Sequence, residues 1–422
     1  MFTDLEHYRR AETDLDGLRS PTEIPSAKKI ASKQKGVHGW LRYYAGFSPS
    51  FVQGVASFLN LNSDSLVYDP FTGTGTTNIV CKALNIPSFG MELNPISYLV
   101  ANAKLSCVNP SETIKELMLL RPQLIGEFDS DLSDKQVGSD KSTRYLLNAA
   151  REIQPLPKSM QCFLLAAIVE TLRKLVVTRF GTNPTWPKTR HRLNGTPERT
   201  YKTLCKIVQR RLRDLFQNSL PSDCEAHVLY GDSTEFEPSF KANAIITSPP
   251  YLNRLDYVMN YQVENSFLLA LQFPIASTIS CLRQKMMGTV KVNDAIDPDP
   301  AWGTTCNKLL ESIRLHPSKA ASCYYHNTIC HYFYRLHRCV EIFYKVLDRG
   351  GVCCLVVQNS YFKNIELPLP LISTEMAQNV GFKGTSFLRE DHVHHHIGRT
   401  DPDQKRWKQE KLLTEKVVLL ER

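Results

Sequence analysis

Asp69-Pro-Phe-Thr-Gly-Thr-Gly-Thr-Thr77 follows a short apolar run, Ser65-Leu-Val-Tyr-Asp69, and opens a helix-forming segment from Thr76 to Leu84. Glycines at 73 and 75 allow a sharp turn and a close approach of the backbone to a ligand, and the free N–H groups of the following helix point at that ligand. The turn is neither a Walker A loop, because no lysine follows its second glycine, nor a GxGxxG fingerprint, because the third glycine position is an asparagine. The stretch predicts a strand, a ligand-binding turn and a helix.

The alternation of strand and helix continues on both sides of this turn, which predicts a parallel α/β sheet. Further strands are expected at Ser88 to Glu92, His227 to Asp232, Ala244 to Thr247, Val352 to Val357, Phe382 to Asp391 and Thr414 to Leu420, with helices at Pro95 to Lys104, Asp256 to Leu271 and Tyr324 to Leu347. Glu92 ends the strand after the turn, where an acid is placed to accept hydrogen bonds from a ribose. The turn and this acid favour a nucleoside-containing ligand, although the turn alone is also compatible with a plain strand-to-helix connection.

A second motif, Ser248-Pro-Pro-Tyr251, directly follows the expected strand at Ala244 to Thr247. Two successive prolines after a buried strand fix a rigid turn with few backbone donors. In open α/β sheets this carboxyl edge is where ligands bind. The tetrapeptide therefore belongs to the same edge of the sheet as the glycine turn.

Together the two motifs resemble those of S-adenosylmethionine-dependent amino-methyltransferases of DNA, in particular the cytosine-N4 type with its catalytic Ser-Pro-Pro-Tyr. The resemblance covers residues 37–109 and 227–422. It implies a Rossmann-like α/β catalytic domain with a seven-stranded sheet, S-adenosylmethionine as cofactor, double-stranded DNA as substrate and a role in a restriction-modification system beside a cognate restriction endonuclease. The cofactor motif comes first here, whereas the Ser-Pro-Pro-Tyr element often comes first in cytosine-N4 enzymes, so the place of target recognition stays open.

The resemblance also implies roles for individual residues. Cofactor contacts are expected from Phe47, Asp69, Pro70, Phe71, Gly73, Gly75, Thr76, Glu92, Asp232 and Ser233. Within that set, Glu92 would bind the ribose hydroxyls and Asp232 the adenine amino group.

Catalysis is expected from Ser248, Pro249, Pro250 and Tyr251. The Ser248 hydroxyl and the Pro249 carbonyl would accept hydrogen bonds from the two N–H groups of the cytosine amino group. The Tyr251 ring would stack on the base.

Other functions remain as alternatives. Methylation at carbon 5 is disfavoured, because that reaction uses a thiolate in a Pro-Cys dipeptide and none of the 24 prolines precedes a cysteine. Adenine-N6 methylation shares the fold, and Ser248 is the residue that argues against it. An RNA methyltransferase or a catalytically silent DNA-binding regulator are the remaining alternatives, and the second would fail to bind S-adenosylmethionine.

Residues 110–226 interrupt the methyltransferase pattern and are expected to form a mostly helical insertion. Between Arg173 and Arg213 we count twelve Lys or Arg against one acid, Glu198, in a chain of net charge +9. This concentration of positive charge suits phosphate contacts, although a solvated helix face would show the same pattern. DNA contacts are expected from Arg179, Trp186, Lys188, Arg190, Arg192 and Arg254. The last of these follows the tetrapeptide, where Asn253, Asp256 and Tyr257 either line the pocket or cap the next helix.

The remaining sequence gives coarser expectations. Residues 1–36 are expected to form an N-terminal arm, and the loop-rich stretch 273–322 is a second candidate for target recognition. The chain has no apolar run long enough to span a membrane and no secretory signal, so a cytoplasmic protein without membrane contact is expected. The twelve cysteines lack disulfide or zinc spacing, and the histidines from His392 to His396 favour a polar loop over a metal site. The sequence leaves the oligomeric state open.

Overall fold

The fold is described from a computed structural model of the 422-residue chain. It describes residues 24–28, 35–41, 46–123, 140–176, 195–218, 220–221, 223–252, 256–275, 277–289, 292, 294–392 and 413–422, and the backbone of 179–180 and 187–188. Within these residues no helix is long and apolar enough to cross a bilayer.

A seven-stranded sheet forms the centre of the molecule. Its strands are β1 (Val67–Asp69), β2 (Ser88–Glu92), β5 (Ala226–Tyr230), β6 (Ala242–Thr247), β7 (Leu347–Gln358), β10 (Gly384–His392) and β11 (Thr414–Glu421), and they lie in the order β10-β11-β7-β6-β1-β2-β5. The strands from β7 to β5 are parallel, whereas β11 is antiparallel to both β7 and β10. The predicted α/β fold with a seven-stranded sheet is confirmed. Four shorter strands pair as β3 (Arg179–Phe180) with β4 (Pro187–Lys188) and β8 (Ser360–Phe362) with β9 (Ile365–Leu367).

Thirteen α-helices lie in the described residues. They are α1 (Pro49–Phe58), α2 (Thr76–Ala83), α3 (Pro95–Leu105), α4 (Pro110–Leu119), α5 (Lys141–Glu152), α6 (Lys158–Leu175), α7 (Pro197–Asn218), α8 (Tyr257–Asn260), α9 (Gln262–Ala270), α10 (Ile279–Lys285), α11 (Thr304–Arg314), α12 (His326–Val346) and α13 (Leu369–Val380). Several begin where the sequence provides a cap: Ser48 accepts the N–H of Phe51 at 3.2 Å, and Asp140 accepts that of Thr143 at 3.0 Å.

Both faces of the sheet are covered, as the near-continuous apolar runs of its parallel strands require. Along β7, Cys353, Leu355 and Val357 pack in one cluster with α11, α12 and α13. Cys354 and Val356 point the other way, into a cluster with α1 and α2. This alternation buries both cysteines, and all twelve cysteines of the chain are free. The sheet is therefore a rigid layer between two helical layers, with its carboxyl edge left for the loops.

Within residues 110–226, where a helical insertion was expected, lie the helices α4 to α7, which share an apolar cluster with α3 and α9. Arg173 of α6 reaches Glu264 of α9 at 3.4 Å, and Glu264 is only 1% exposed. The segment 110–226 therefore packs directly on a helix that follows the tetrapeptide in the chain.

One expectation for the region after the tetrapeptide needs correction, and a second gains detail. The helix predicted from Asp256 to Leu271 is two helices, separated at Tyr261, whose backbone leaves the helical region (φ −116°, ψ 32°). The stretch 273–322 contains two helices that the sequence did not indicate, α10 and α11, and more than half of its residues lie outside them. Thr278 caps α10 through the N–H of Cys281 at 3.1 Å, and α11 buries an apolar stripe that includes Leu309 and Ile313. The Pro and Gly turn signals around these helices concealed both of them in the sequence.

Candidate active site

The glycine turn links β1 to α2 with a tight backbone path. Gly73 and Gly75 have positive φ values of 53° and 81°, and the N–H of Gly75 donates to the carbonyl of Thr72 at 2.8 Å. A Cβ at position 75 would lie 3.0 Å from the Cβ of Ala101 in α3, so a side chain is excluded there by conformation and by space. Glycine at position 75 therefore allows the turn to pack closely on α3.

Asp69 lies beneath this turn and holds three segments together. One carboxylate oxygen accepts the hydroxyl of Thr77 at 2.6 Å, and the other accepts the hydroxyl of Thr247 at 2.7 Å and the N–H of Phe71 at 3.1 Å. Burial raises the pKa of Asp69 to about 6, although these hydrogen bonds oppose the rise. Because Thr247 immediately precedes Ser248, this carboxylate joins the glycine turn to the tetrapeptide.

Glu92 stands at the end of β2 on the pocket wall. Its Oε1 accepts the N–H of Asn94 at 2.7 Å, and the residue is 7% exposed. Burial raises the pKa of Glu92 to about 8, opposed in part by the backbone amides of Asn94 and Gly73. The site therefore holds a buried carboxyl group whose charge is supported by backbone donors.

Asp232 and Ser233 line the same pocket from the loop after β5. Asp232 accepts the N–H of Thr234 at 2.9 Å through one oxygen, and Arg335 of α12 reaches the other at 3.1 Å. Arg335 also donates to the carbonyl of Lys285 at 2.6 Å, at the end of α10. The hydroxyl of Ser233 donates to the carbonyl of Pro70. A single arginine thus connects the acidic loop to the segment that closes the pocket on the other side.

The tetrapeptide divides between the pocket and the protein interior. Ser248 and Pro250 line the pocket, and Pro249 is buried. Tyr251 is half-buried, and its hydroxyl donates to Oε2 of Glu415 in β11 at 2.8 Å. Burial, together with the negative charge of Glu415, raises the pKa of the Tyr251 phenol well above its usual range. Tyr251 is therefore a protonated donor.

The residues after the tetrapeptide resolve one open alternative. Asp256 caps α8 through the N–H of Met259 at 3.0 Å and pairs with Arg283 at 2.8 Å, so it serves as a cap. Tyr257, the next residue, lines the pocket. Asn253 and Arg254 lie outside the described residues.

These elements enclose a pocket at the carboxyl edge of the sheet, with about 790 Å³ of empty space that is partly open to solvent. Its wall combines parts of the glycine turn, Glu92, the loop after β5 and the tetrapeptide. Of the predicted cofactor residues, the pocket is lined by Phe47, Pro70, Phe71, Gly73, Thr76, Glu92, Asp232 and Ser233. Asp69 and Gly75 support the turn from behind.

No protein-family model matches the chain. Comparison with known proteins nevertheless identifies relatives of its sequence. Over 278 residues the chain is 26% identical to the Type II methyltransferase M.BsoBI of Geobacillus stearothermophilus, covering 56% of this chain and 54% of that protein. Over 400 residues it is 24% identical to the Type II methyltransferase M.AvaI of Anabaena variabilis, covering 85% and 81%. A shorter match, 31% over 106 residues, joins 25% of the chain to 19% of the Type II methyltransferase M.MjaII of Methanocaldococcus jannaschii.

Its relatives are Type II methyltransferases. The aligned part spans about half the length of M.BsoBI and about four fifths of M.AvaI. The M.AvaI alignment is long enough that it must include most of the sheet described above. The relatives thus support the same class of fold for this methyltransferase-like chain that its own strand order shows.

The basic segment of the chain separates into three groups of four residues. Arg173, Lys174, Arg210 and Arg211 face acids outside the counted segment: Glu170 and Asp214 just beyond its two ends, and Glu264 in α9. Arg199, Lys202, Lys206 and Arg213 lie exposed along α7. The last four are Arg179, Lys188, Arg190 and Arg192. Arg190, Arg192 and Trp186 lie outside the described residues, and for Arg179 and Lys188 the structure describes the backbone of the β3–β4 pair. The charge count therefore overstates the free positive charge.

Four contributors to the site were absent from the sequence prediction. Thr77 and Thr247 are adjacent to the two motifs, so a search for partners of a buried aspartate could have found them. Arg335 and Glu415 are 103 and 164 residues from their partners Asp232 and Tyr251. Nothing in their local sequence signals a role, because the sheet topology alone brings them to the site.

Proposed function

We propose that this protein is a site-specific DNA methyltransferase that transfers a methyl group from S-adenosylmethionine to the exocyclic N4 amino group of a cytosine in double-stranded DNA. The observation that carries the proposal is a pocket whose wall contains both the glycine turn and the catalytic tetrapeptide. The Type II methyltransferase relatives support the reaction class. The cytosine assignment rests on Ser248 at the first position of the tetrapeptide.

The residues that line the pocket support S-adenosylmethionine as the cofactor. Backbone at Gly73 approaches the pocket without a side chain, and the buried carboxyl group of Glu92 is placed to accept hydrogen bonds from the two ribose hydroxyls. Asp232, held by Arg335, is placed to accept from the adenine amino group. Phe47 and Met286 contribute apolar surface. When bound, S-adenosylmethionine would supply an activated methyl group for the transfer.

The chemical difficulty lies in the cytosine amino nitrogen, whose lone pair is delocalised into the ring. In the proposed reaction the Ser248 hydroxyl and the Pro249 carbonyl oxygen accept hydrogen bonds from the two N–H groups of this nitrogen. Acceptors in this position favour a more tetrahedral nitrogen and return electron density to it. Positioning and fixed electrostatics then lower the barrier, so no general base is required. The methylated amino group is acidic and loses its extra proton to water.

A base inside a duplex cannot reach this pocket, so the target cytosine is flipped out of the helix. Unstacking costs a few kcal/mol, and stacking on the Tyr251 ring offsets part of that cost. The exposed basic residues of α7, together with Arg179, Lys188, Arg190, Arg192, Trp186 and Arg254, would hold the phosphate backbone around the flipped nucleotide. In a restriction-modification system this methylation would protect host DNA from a cognate endonuclease.

Product analysis tests the proposal. Purified protein is incubated with labelled S-adenosylmethionine and unmethylated duplex DNA of mixed sequence, and the DNA is digested to nucleosides. We expect labelled N4-methylcytosine from the wild type and no label from Ser248→Ala, which should still bind the cofactor. If N6-methyladenine is the sole product, the target base is adenine and the cytosine assignment is wrong. No label in the DNA incubated with the wild type would overturn the proposal.

A further inference from the structure

The Tyr251 hydroxyl is bound by a residue outside the tetrapeptide. This hydroxyl donates to Oε2 of Glu415 at 2.8 Å. Glu415 lies near the start of β11, opposite Gln358 at the end of β7. Because β11 runs antiparallel to β7, its start lies at the carboxyl edge of the parallel strands. Glu415 therefore shares the edge of the sheet where the pocket opens.

The rest of Tyr251 is restrained from other directions. Pro249 and Pro250 fix the backbone that leads into it. Gly288 lies so close on the other side that a Cβ there would be 3.1 Å from the carbonyl oxygen of Tyr251. These contacts restrain the backbone of Tyr251. The hydrogen bond to Glu415 acts at the far end of the ring and restrains the ring itself.

The chemistry of the partner suits an anchor. A buried phenol needs an acceptor, because an unpaired hydroxyl loses its water without compensation. A carboxylate is the strongest acceptor that a side chain offers, and bonds to it are roughly twice as strong as neutral ones. The Ser248 hydroxyl also lies beside this phenol. The anchor therefore acts in the immediate surroundings of the catalytic serine.

We propose that Glu415 is a positioning residue, which fixes the Tyr251 ring in the orientation required for stacking on the flipped base. This inference rests on the proposed function of the tetrapeptide. Glu415 acts through Tyr251 and not on the substrate.

A double-mutant cycle with Tyr251→Phe and Glu415→Ala tests the inference, with methyl transfer to duplex DNA as the measurement. Each single variant should lower kcat by about tenfold, since each removes the same charge-assisted hydrogen bond. The KM for S-adenosylmethionine should stay within about twofold, because cofactor contacts are not changed. The double variant should be no slower than the slower single variant. Glu415→Gln keeps an acceptor oxygen and should recover most of the lost rate.

Glu421→Ala is the matched control, because Glu421 is on the same strand at the opposite, exposed end. It should leave kcat unchanged. Cofactor binding by each variant shows that it is folded. Additive losses in kcat, a loss confined to KM, or no recovery with glutamine would overturn the positioning role while the wild type remains active. A wild type that transfers no methyl group to DNA would instead overturn the proposed function, and this inference with it.

Discussion

Glu92 shows how a single buried side chain determines the behaviour of the pocket. Burial raises its pKa from 4.5 to about 8, although backbone amides support the charged form. A carboxyl group with a raised pKa contributes its full stabilisation to the folded protein below pH 4.5, the pKa that it has in the unfolded chain. This stabilisation is lost as the pH rises through 8, the pKa in the folded protein. In the free protein at alkaline pH, the buried Glu92 carboxylate is therefore charged at a cost in stability. A ligand that donates hydrogen bonds to it lowers that cost.

Cofactor affinity should therefore depend on pH through Glu92. The ionised carboxylate is the form that accepts hydrogen bonds from both ribose hydroxyls, so binding below about pH 8 must release a proton. We expect affinity to rise by up to about tenfold per pH unit below that value and to level off above it. Glu92→Gln should bind the cofactor about tenfold more weakly at about pH 9, with a flatter pH profile, and should raise the melting temperature of the free protein at that pH. Calorimetric titration and thermal unfolding from about pH 6.5 to 9.5 measure both effects.

Glu225→Gln is the control for this prediction, because the Glu225 side chain is 83% exposed and precedes β5 away from the pocket. It should leave the pH profile unchanged. An identical profile in wild type and Glu92→Gln would show that Glu92 does not bind the cofactor.

The sequence predicted those site residues whose role depends on neighbours in the chain. The glycine turn, Glu92 and the tetrapeptide each sit directly after a strand, and the ends of parallel strands meet at one edge. Their long-range partners were not predictable, because Arg335 and Glu415 reach the site only through the packing of α12 and the antiparallel placement of β11. The three donors to Asp69 were not predictable for a related reason, because two of them are hydroxyls whose orientation the sequence does not reveal.

Among whole elements, α12 has a structural role at the site beyond filling the core. Its apolar face packs on the sheet through residues such as Phe333 and Leu336. Its polar face carries Arg335 to Asp232 and to the carbonyl of Lys285. Lys285, Met286 and Met287 line the pocket opposite the glycine turn. The helix therefore holds two walls of the pocket at a fixed separation.

Removal of this link should weaken cofactor binding and leave the chemical step intact. We expect Arg335→Ala to raise the Kd for S-adenosylmethionine by about tenfold, because it frees both Asp232 and the end of α10. Lysine cannot reproduce the planar guanidinium fork, so Arg335→Lys should recover only part of the affinity. The kcat at saturating cofactor should fall less than about threefold in both variants. Cofactor titration and steady-state kinetics separate the two effects.

Arg338→Ala provides the comparison, because Arg338 lies on the same helix and pairs with Glu341. Its Kd should equal that of the wild type. A Kd that is equally unaffected in Arg335→Ala would show that the arginine does not position the pocket.

At the level of the whole molecule, the exposed positive charge of α7 and the pocket lie on different elements. The carboxyl edge of the sheet holds the buried acids of the pocket, whereas the exposed cations Arg199, Lys202, Lys206 and Arg213 follow one face of α7. Their spacing of three, four and seven residues keeps them on that face. The opposite face is buried through Leu204, Ile207 and Val208, and Arg211 is buried against the ring of Trp40 with its guanidinium 4.5 Å from the centroid.

The exposed face of α7 should therefore supply part of the affinity for DNA and part of its salt dependence. A triple variant with Lys202, Lys206 and Arg213 changed to Gln should bind duplex DNA more weakly, because fewer phosphates are neutralised. The slope of log K against log salt should become shallower by up to about 0.9 for each phosphate that the variant no longer neutralises. Fluorescence anisotropy between about 50 and 300 mM salt measures both quantities, and cofactor binding checks that the variant is folded.

The matched control changes Lys241, Arg349 and Lys383 to Gln, which removes the same charge from exposed residues at the amino edge of the sheet. These positions are remote from α7 and from the pocket, so we expect the control to keep the wild-type slope. If both triple variants weaken binding equally, the protein attracts DNA by net charge alone and α7 is not a specific contact. A slope change confined to the α7 variant would instead place the duplex across the helical insertion, next to the edge of the sheet where the pocket opens.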